Sequence, residues 1–171
     1  MNETIEHLLL HKCKPRQISY IKSNPEQLHK LLELSLDYLH PLSKRAASLL
    51  WSCIPDEHFC SETEIDLLLD ILLKINESHQ REVFKILFEL HLIEAQQGIL
   101  YAHCVNGWSQ TQLQPSVRYN ALKMMLKIAN QHKELFSEID ILTQSQYLET
   151  FSINAAKAIR KMVENNCKII I

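Results

Sequence analysis

A repeated pattern of helix starts runs through most of this chain and limits the folds open to it. The clearest copy occupies residues 115–128, which begin Pro-Ser-Val-Arg and continue with apolar residues at helical spacing. Weaker copies begin at Leu42, Ser78 and Phe151. Aligned on their third or fourth residue, successive copies are 36, 37 and 36 residues apart. A period of this length is typical of helical pairs that stack on one another.

Each copy is the second helix of a predicted pair, and start and stop signals place a first helix before it. Asn24 followed by Pro25 is a start signal, and Pro41 ends the helix that follows. Ser61 and Glu64 fit a capping box at the start of the next first helix. The predicted first helices cover residues 26–39, 61–75, 94–108 and 134–149. The predicted second helices cover residues 43–54, 79–92, 116–131 and 152–164.

The composition favours helices over strands. The chain has only two glycines, Gly98 and Gly107, and five prolines, which leaves little turn chemistry for β-hairpins. With 171 residues, of which 46% are hydrophobic, it can bury one sizeable core. We therefore predict one all-α domain over residues 1–171, an α-α superhelix of about four helical pairs. A helix ending near Lys12 and another opened by Pro15 form an N-terminal capping segment.

The cysteines and the N-terminal residues predict a cytoplasmic protein. The five cysteines are an odd number, widely spaced and without a C-x-x-C motif, which favours a reducing compartment. Acidic residues follow Met1 where a secretory signal would be basic. The longest uncharged stretch, 95–117, contains too many polar groups for a membrane span. We expect no membrane insertion and no cofactor.

The start of the clearest second helix carries a family resemblance. Residues 116–118 read Ser-Val-Arg, and Ala121 follows Arg118 by three residues. With the period and the two-helix unit, this resembles HEAT repeats over roughly residues 25–164. The resemblance implies an α-α superhelix whose second helices line a concave surface, in proteins that are binding partners or scaffolds more often than enzymes.

The resemblance also implies a contact between repeats. In HEAT repeats, an aspartate in the turn between the two helices often pairs with an arginine of a neighbouring repeat. Asp37 is the equivalent in the first pair. The later turns carry other polar residues, namely Asn76, Gln114 and Thr150.

Charge is divided unequally between the two predicted sets of helices. The first helices carry two basic residues against twelve acidic ones, and the second helices carry ten against three. A cation-lined concave face of this kind would attract phosphates or an acidic peptide. The alternative is that these side chains only solvate the helices and pair locally. The candidate binding residues are Lys44, Arg45, Arg81, Lys85, Arg118, Lys123, Lys127, Lys157, Arg160, Lys161 and Trp108.

The sequence predicts different environments for the two tryptophans, one exposed and one in the core. Trp108 lies beside Gly107 and ahead of a polar loop, so we expect an exposed aromatic ring that could stack on a base or on a peptide side chain. Trp51 is flanked by apolar residues such as Leu50 and Ile54, so we expect it in the core.

Histidine and cysteine spacing indicates no metal site. His7 and His11 have the spacing that can chelate a metal from one helix face, but no third ligand follows at a known spacing. Folding could also bring together two further pairs, His58 with Cys60 and His103 with Cys104. We predict ordinary core and loop roles for these residues.

No catalytic motif singles out an enzyme. The chain lacks G-x-S-x-G, a phosphate-binding glycine loop and H-E-x-x-H. The DNA alkylation repair glycosylases resemble HEAT repeats and would need a carboxylate in the groove, for which only Glu82 and Glu89 could be nominated. We therefore predict a non-enzymatic scaffold that binds another protein on its concave face. The alternative is a protein that binds the nucleic-acid backbone, as those repair proteins do.

Overall fold

The computed structural model describes residues 4–167, which are all-α as predicted. This part of the chain contains no β-strand and holds eleven α-helices and a 3-10 turn at Lys133–Leu135. The helices are α1 (Ile5–His11), α2 (Lys14–Ser23), α3 (Gln27–Leu36), α4 (Ser43–Leu50), α5 (Glu62–Ile71), α6 (Glu77–Glu89), α7 (Glu94–Ser109), α8 (Pro115–Ala129), α9 (Phe136–Leu142), α10 (Ser145–Leu148) and α11 (Ile153–Cys167). None of these helices is long and apolar enough to cross a membrane.

Contacts between Cα atoms divide the chain into two compact units. The N-terminal unit comprises Met1–Gln96 and the C-terminal unit Gln97–Ile171, so the boundary falls within α7. The single domain over residues 1–171 therefore stays a prediction.

In the N-terminal unit the helices contact one another in two series. Helices α1, α3 and α5 contact in order, as do α2, α4 and α6, and the pairs α3 with α4 and α5 with α6 also touch. Side chains with at most 1% exposure fill the space between them, including Leu31, Leu49, Leu50, Ile86 and Leu87. Burying each such side chain contributes about 2 kcal/mol. The amphipathic pattern therefore stabilises contacts between neighbouring repeats.

Polar side chains at helix starts explain where several helices begin. The predicted capping box is confirmed: Glu64 N donates to Ser61 Oγ at 3.3 Å, and Ser61 N donates to Glu64 Oε2 at 2.8 Å. Asn76 caps α6, because its side-chain Oδ1 accepts a hydrogen bond from His79 N at 3.1 Å.

Two predictions about α3 are wrong. Asn24 does not cap this helix, which begins at Gln27; its Nδ2 donates to Tyr20 O at 2.9 Å and so closes the preceding helix. The helix ends at Leu36 because Asp37 leaves the helical conformation, with φ −74° and ψ 76°. Leu39, the last residue of the predicted helix 26–39, therefore lies outside the observed helix and is 81% exposed.

In the C-terminal unit, α8 contacts both α9 and α11, and α9 also contacts α11. The predicted continuous first helix over 134–149 is wrong, because the chain leaves the helix at Thr143 and Gln144. Thr143 Oγ1 donates to Ile139 O at 2.8 Å, and Leu142 O accepts from Trp108 Nε1 at 2.6 Å. Side chains thus occupy two carbonyls that a continuous helix would use.

Several hydrogen bonds join residues about one sequence period apart. In the N-terminal unit, Arg45 Nη1 donates to Leu9 O at 3.2 Å, 36 residues away. In the C-terminal unit, Asn130 Nδ2 donates to Asn166 Oδ1 at 2.9 Å, also 36 residues away. Three further hydrogen bonds join residues that are 34, 34 and 37 positions apart in sequence, namely Gln96 with Glu62 O, Trp108 with Leu142 O, and Tyr101 with Glu138. Within each unit, residues one repeat apart in sequence are therefore close in space.

Candidate binding surfaces

Arg118, in the first turn of α8, has no exposed surface. Its Nε donates to Trp108 O at 2.8 Å, its Nη2 to Tyr147 O at 2.7 Å and its Nη1 to Thr150 Oγ1 at 2.5 Å. The guanidinium carbon lies 4.7 Å from the ring centroids of both Trp108 and Phe151. Burial lowers the pKa of Arg118, but an arginine stays charged in a protein. Its hydrogen bonds connect α8 to the turn before α11.

The expectation that Trp108 is exposed is wrong. The residue is 0% exposed, and its ring stacks on Phe151 with centroids 5.6 Å apart. Helix α7 continues to Ser109, so Trp108 lies within this helix and not at an exposed end beside the polar loop. Neither Trp108 nor Arg118 is accessible to a partner on the surface.

Thr150 lies at the turn position where the HEAT resemblance implies an aspartate. Its hydroxyl accepts a hydrogen bond from Nη1 of Arg118, which belongs to the preceding repeat. The three acceptors of Arg118 are all uncharged groups, and no carboxylate among residues 4–167 forms an ion pair with it. A neutral contact therefore occupies this position of the C-terminal unit. Asp37, at the turn position of the first pair, is exposed.

In the N-terminal unit, Glu82 of α6 is a buried carboxylate, 3% exposed, that gathers several donors. Its Oε1 accepts from Arg81 Nε and Nη2, both at 2.9 Å. Its Oε2 accepts from Trp51 Nε1 at 3.0 Å and Lys85 Nζ at 3.1 Å. Burial raises the pKa of Glu82, but the hydrogen bonds and charges of Lys85 and Arg81 outweigh it, and the pKa is lowered overall. Glu82 is therefore ionised at neutral pH.

Lys14 of α2 adds a third cation beside the same tryptophan. Its Nζ donates to the backbone oxygen and hydroxyl of Ser48 and lies 6.0 Å from the Trp51 ring centroid. Lys85 Nζ lies 4.7 Å from that centroid. Burial lowers the pKa of Lys14, and repulsion from Lys85 lowers it further. We call this group the Trp51 cluster, consisting of Lys14, Trp51, Arg81, Glu82 and Lys85.

His79, one turn before Glu82 on α6, is 3% exposed. Among the residues that the structure describes, its Nε2 has no hydrogen-bond partner. Burial lowers its pKa from 6.5, Glu82 opposes that shift and Lys44 adds to it. The imidazole is therefore neutral in the folded protein at neutral pH.

We expect the stability of the protein to fall between pH 7 and pH 5.5 because of His79. The folded pKa lies below 6.5, so the unfolded chain binds the proton more readily, and stability decreases as pH falls through 6.5. Chemical denaturation at several pH values measures this slope. His79→Leu should flatten it, whereas His91→Gln, at an exposed histidine, should leave it unchanged. An equal slope in His79→Leu would contradict this explanation.

The C-terminal unit carries basic residues on the two second helices, α8 and α11, which contact each other. On α11, Lys157, Arg160 and Lys161 are exposed. No ion pair in the described part of the chain involves these three. On α8, Lys123 and Lys127 are half-buried. Five of the predicted binding residues therefore lie on two touching helices whose one carboxylate is Glu164.

The two remaining predicted binding residues, Lys44 and Arg45, are exposed on α4. Arg45 Nη1 donates to Leu9 O of the capping segment, so part of its hydrogen-bonding capacity is used within the N-terminal unit.

The histidines and cysteines form no metal site within residues 4–167, where no three His, Cys, Asp or Glu side chains are grouped to hold an ion. The His7 and His11 rings lie 4.7 Å apart, and the His58 ring lies 5.3 Å from that of His91. Cys60 and Cys104 are buried.

The convergence of several donors on Glu82 was not predicted from the sequence. Lys14 was not a candidate, because it precedes the first predicted repeat, and Glu82 was considered only as a catalytic carboxylate. The available signal was the sequence Arg81-Glu82 with Lys85 three residues later, which places two cations within reach of one carboxylate on a helix.

No family model matches the sequence, and no curated protein or solved structure matches the chain.

Proposed function

We propose that this protein is a non-enzymatic, HEAT-like interaction module that binds an acidic segment of another protein on the surface formed by the second helices α8 and α11. The period of 36 to 37 residues supports a stacked α-α arrangement. The serial contacts of alternate helices and the hydrogen bonds one period apart support it within each unit. A cytoplasmic location is part of the proposal.

The observation that carries the proposal is the cationic surface of α11. Lys157 and Lys161 are one helical turn apart, and Arg160 lies beside them. All three are exposed, and no carboxylate among residues 4–167 pairs with them. A surface with uncompensated cations attracts acidic partners and accelerates their association.

Exposed apolar side chains on α8 and α11 favour a protein partner over the nucleic-acid backbone. Ile153 precedes Lys157 by one turn and is 76% exposed, and Tyr119 of α8 is 38% exposed. A peptide offers both carboxylates and apolar side chains to such a surface. A duplex backbone offers regularly spaced phosphates, to which an exposed isoleucine contributes little.

The test compares two sets of variants that remove equal charge. The surface variant carries Lys157→Gln, Arg160→Gln and Lys161→Gln. The control variant carries Lys30→Gln, Lys74→Gln and Lys133→Gln, all outside the second helices. We expect the surface variant, but not the control, to bind a synthetic peptide of alternating glutamate and leucine about tenfold more weakly, in fluorescence anisotropy at 50 mM salt.

Labelled duplex DNA is the second probe, titrated over a salt series. Binding to DNA that is tighter than to the peptide, with a steep salt dependence, would replace the proposed protein partner with nucleic acid. No binding of either probe at low salt, or an equal loss in both variants, would contradict the proposed surface.

A further inference from the structure

The Trp51 cluster of the N-terminal unit has more positive than negative charge. Lys14, Arg81 and Lys85 each carry a positive charge, and Glu82 supplies one carboxylate. No other carboxylate among the residues described forms an ion pair with these three cations. The cluster therefore keeps a net charge of about +2, the sum over these four groups.

The cations also keep hydrogen-bond donors that the folded chain does not use. An ammonium has three donors and a guanidinium five. Within residues 4–167, Lys14 donates only to Ser48, Lys85 donates only to Glu82, and Arg81 engages Nε and Nη2 with Glu82. Each of the three cations can thus donate to a further oxygen.

A ligand can reach these donors from solvent. The Arg81 side chain is 33% exposed and that of Lys85 is 29% exposed. Trp51 and Lys14 are half-buried. The indole donates its N–H to Glu82, and both ammonium groups lie near its ring, so the cations are held in place before any ligand arrives. Preorganisation of this kind lowers the entropic cost of binding.

We propose that the Trp51 cluster binds a phosphate monoester on a phosphorylated segment of the protein's acidic partner. A phosphoserine carries a charge of about −1.5 to −2 at pH 7 and three acceptor oxygens, which match the excess charge and the unused donors. An aspartate or glutamate would compensate only one charge. Each phosphodiester of a nucleic-acid backbone likewise carries a single charge.

This inference rests on the proposed function, because the phosphate belongs to the acidic partner. The two use different residues, however: Lys157, Arg160 and Lys161 of α11 for the acidic segment, and Lys14, Arg81 and Lys85 for the phosphate. Variants can therefore test them separately.

The experiment titrates the full chain by calorimetry with four probes. They are an acidic peptide with a central phosphoserine, the same peptide with serine, inorganic phosphate, and a duplex DNA. We expect the phosphopeptide to bind at least about tenfold more tightly than the serine peptide and than inorganic phosphate. Arg81→Gln combined with Lys85→Gln should abolish this preference.

Two control variants keep the result interpretable. Lys30→Gln removes an exposed cation of α3 and should retain the preference for the phosphopeptide. Lys85→Arg keeps the charge and should also retain it. Thermal unfolding of each variant shows whether it is folded, and Lys14→Met replaces the double variant if that one is unfolded.

Equal affinity for the phosphorylated and serine peptides would overturn the phosphate site while leaving the proposed function intact. Binding of inorganic phosphate as tight as that of the phosphopeptide would overturn the assignment of a peptide ligand, as would tighter binding of duplex DNA. If neither peptide binds, both the proposed function and this inference fail.

Discussion

Replacing Arg118 with alanine should lower the free energy of unfolding by about 4 kcal/mol, as expected when a large buried side chain is removed and its buried hydrogen-bond acceptors are left unsatisfied. The change removes three hydrogen bonds and leaves the carbonyls of Trp108 and Tyr147 without their donor. It also leaves a cavity beside the stacked rings of Trp108 and Phe151. Chemical denaturation followed by circular dichroism measures the loss.

Two further variants separate the causes of this loss. Arg118→Met keeps most of the side-chain volume and should cost about 2 kcal/mol, which corresponds to the unsatisfied carbonyls alone. Arg160→Ala, at an exposed arginine of α11, should change stability by less than about 0.5 kcal/mol. Equal effects at Arg118 and Arg160 would show that the buried contacts contribute nothing to stability.

Replacing Glu82 with alanine should destabilise the protein by about 3 kcal/mol, because the carboxylate shared by several donors is lost. Trp51 Nε1 would lose its acceptor, and Arg81, Lys85 and Lys14 would repel one another without compensation. The effect should be measured at pH 7. The folded pKa of Glu82 is lowered, so its charge contributes fully above the unfolded pKa near 4.5 and is lost as pH falls through the folded pKa.

Glu89→Ala is the matched control for this change, because Glu89 is an exposed carboxylate on the same helix. It should alter the unfolding free energy by less than about 0.5 kcal/mol. High salt should weaken the repulsion among the three cations and recover part of the Glu82→Ala loss. A loss that salt does not reduce would argue against repulsion as its cause.

The helix content could be predicted from the sequence because it depends on local patterns. The Ser61 and Glu64 capping box, the start of α8 at Pro115 and the near absence of glycine are all local signals. The break at Thr143 could not be predicted, because it depends on the Trp108 indole, which reaches Leu142 O from 34 residues away. The end of α3 was predicted incorrectly for a general reason, because the last turn of a helix competes with other turns of similar energy and its boundary varies by about one or two residues.

The candidate binding residues show how far charge patterns can be interpreted. Charge counting grouped Arg118 with the surface cations, since a sequence does not distinguish a buried guanidinium from an exposed one. What distinguishes Arg118 is the pair of stacked aromatic rings, Trp108 and Phe151, that lie against it. Trp108 precedes it by 10 residues and belongs to α7, and Phe151 follows it only after α9 and α10. Lys157 and Lys161 are both exposed, and their spacing of one helical turn places them on one side of α11, which depends only on that helix.

The hydrogen bonds between residues one period apart also bear on how such a gene can change. A duplication or deletion of about 36 codons would keep the helices in step, because each helix would still be followed one period later by a helix of the same set. Loss of a few codons inside a repeat would instead shift every pairing that crosses it. Length variation among descendants of this chain should therefore occur in whole repeats or in the loops between them.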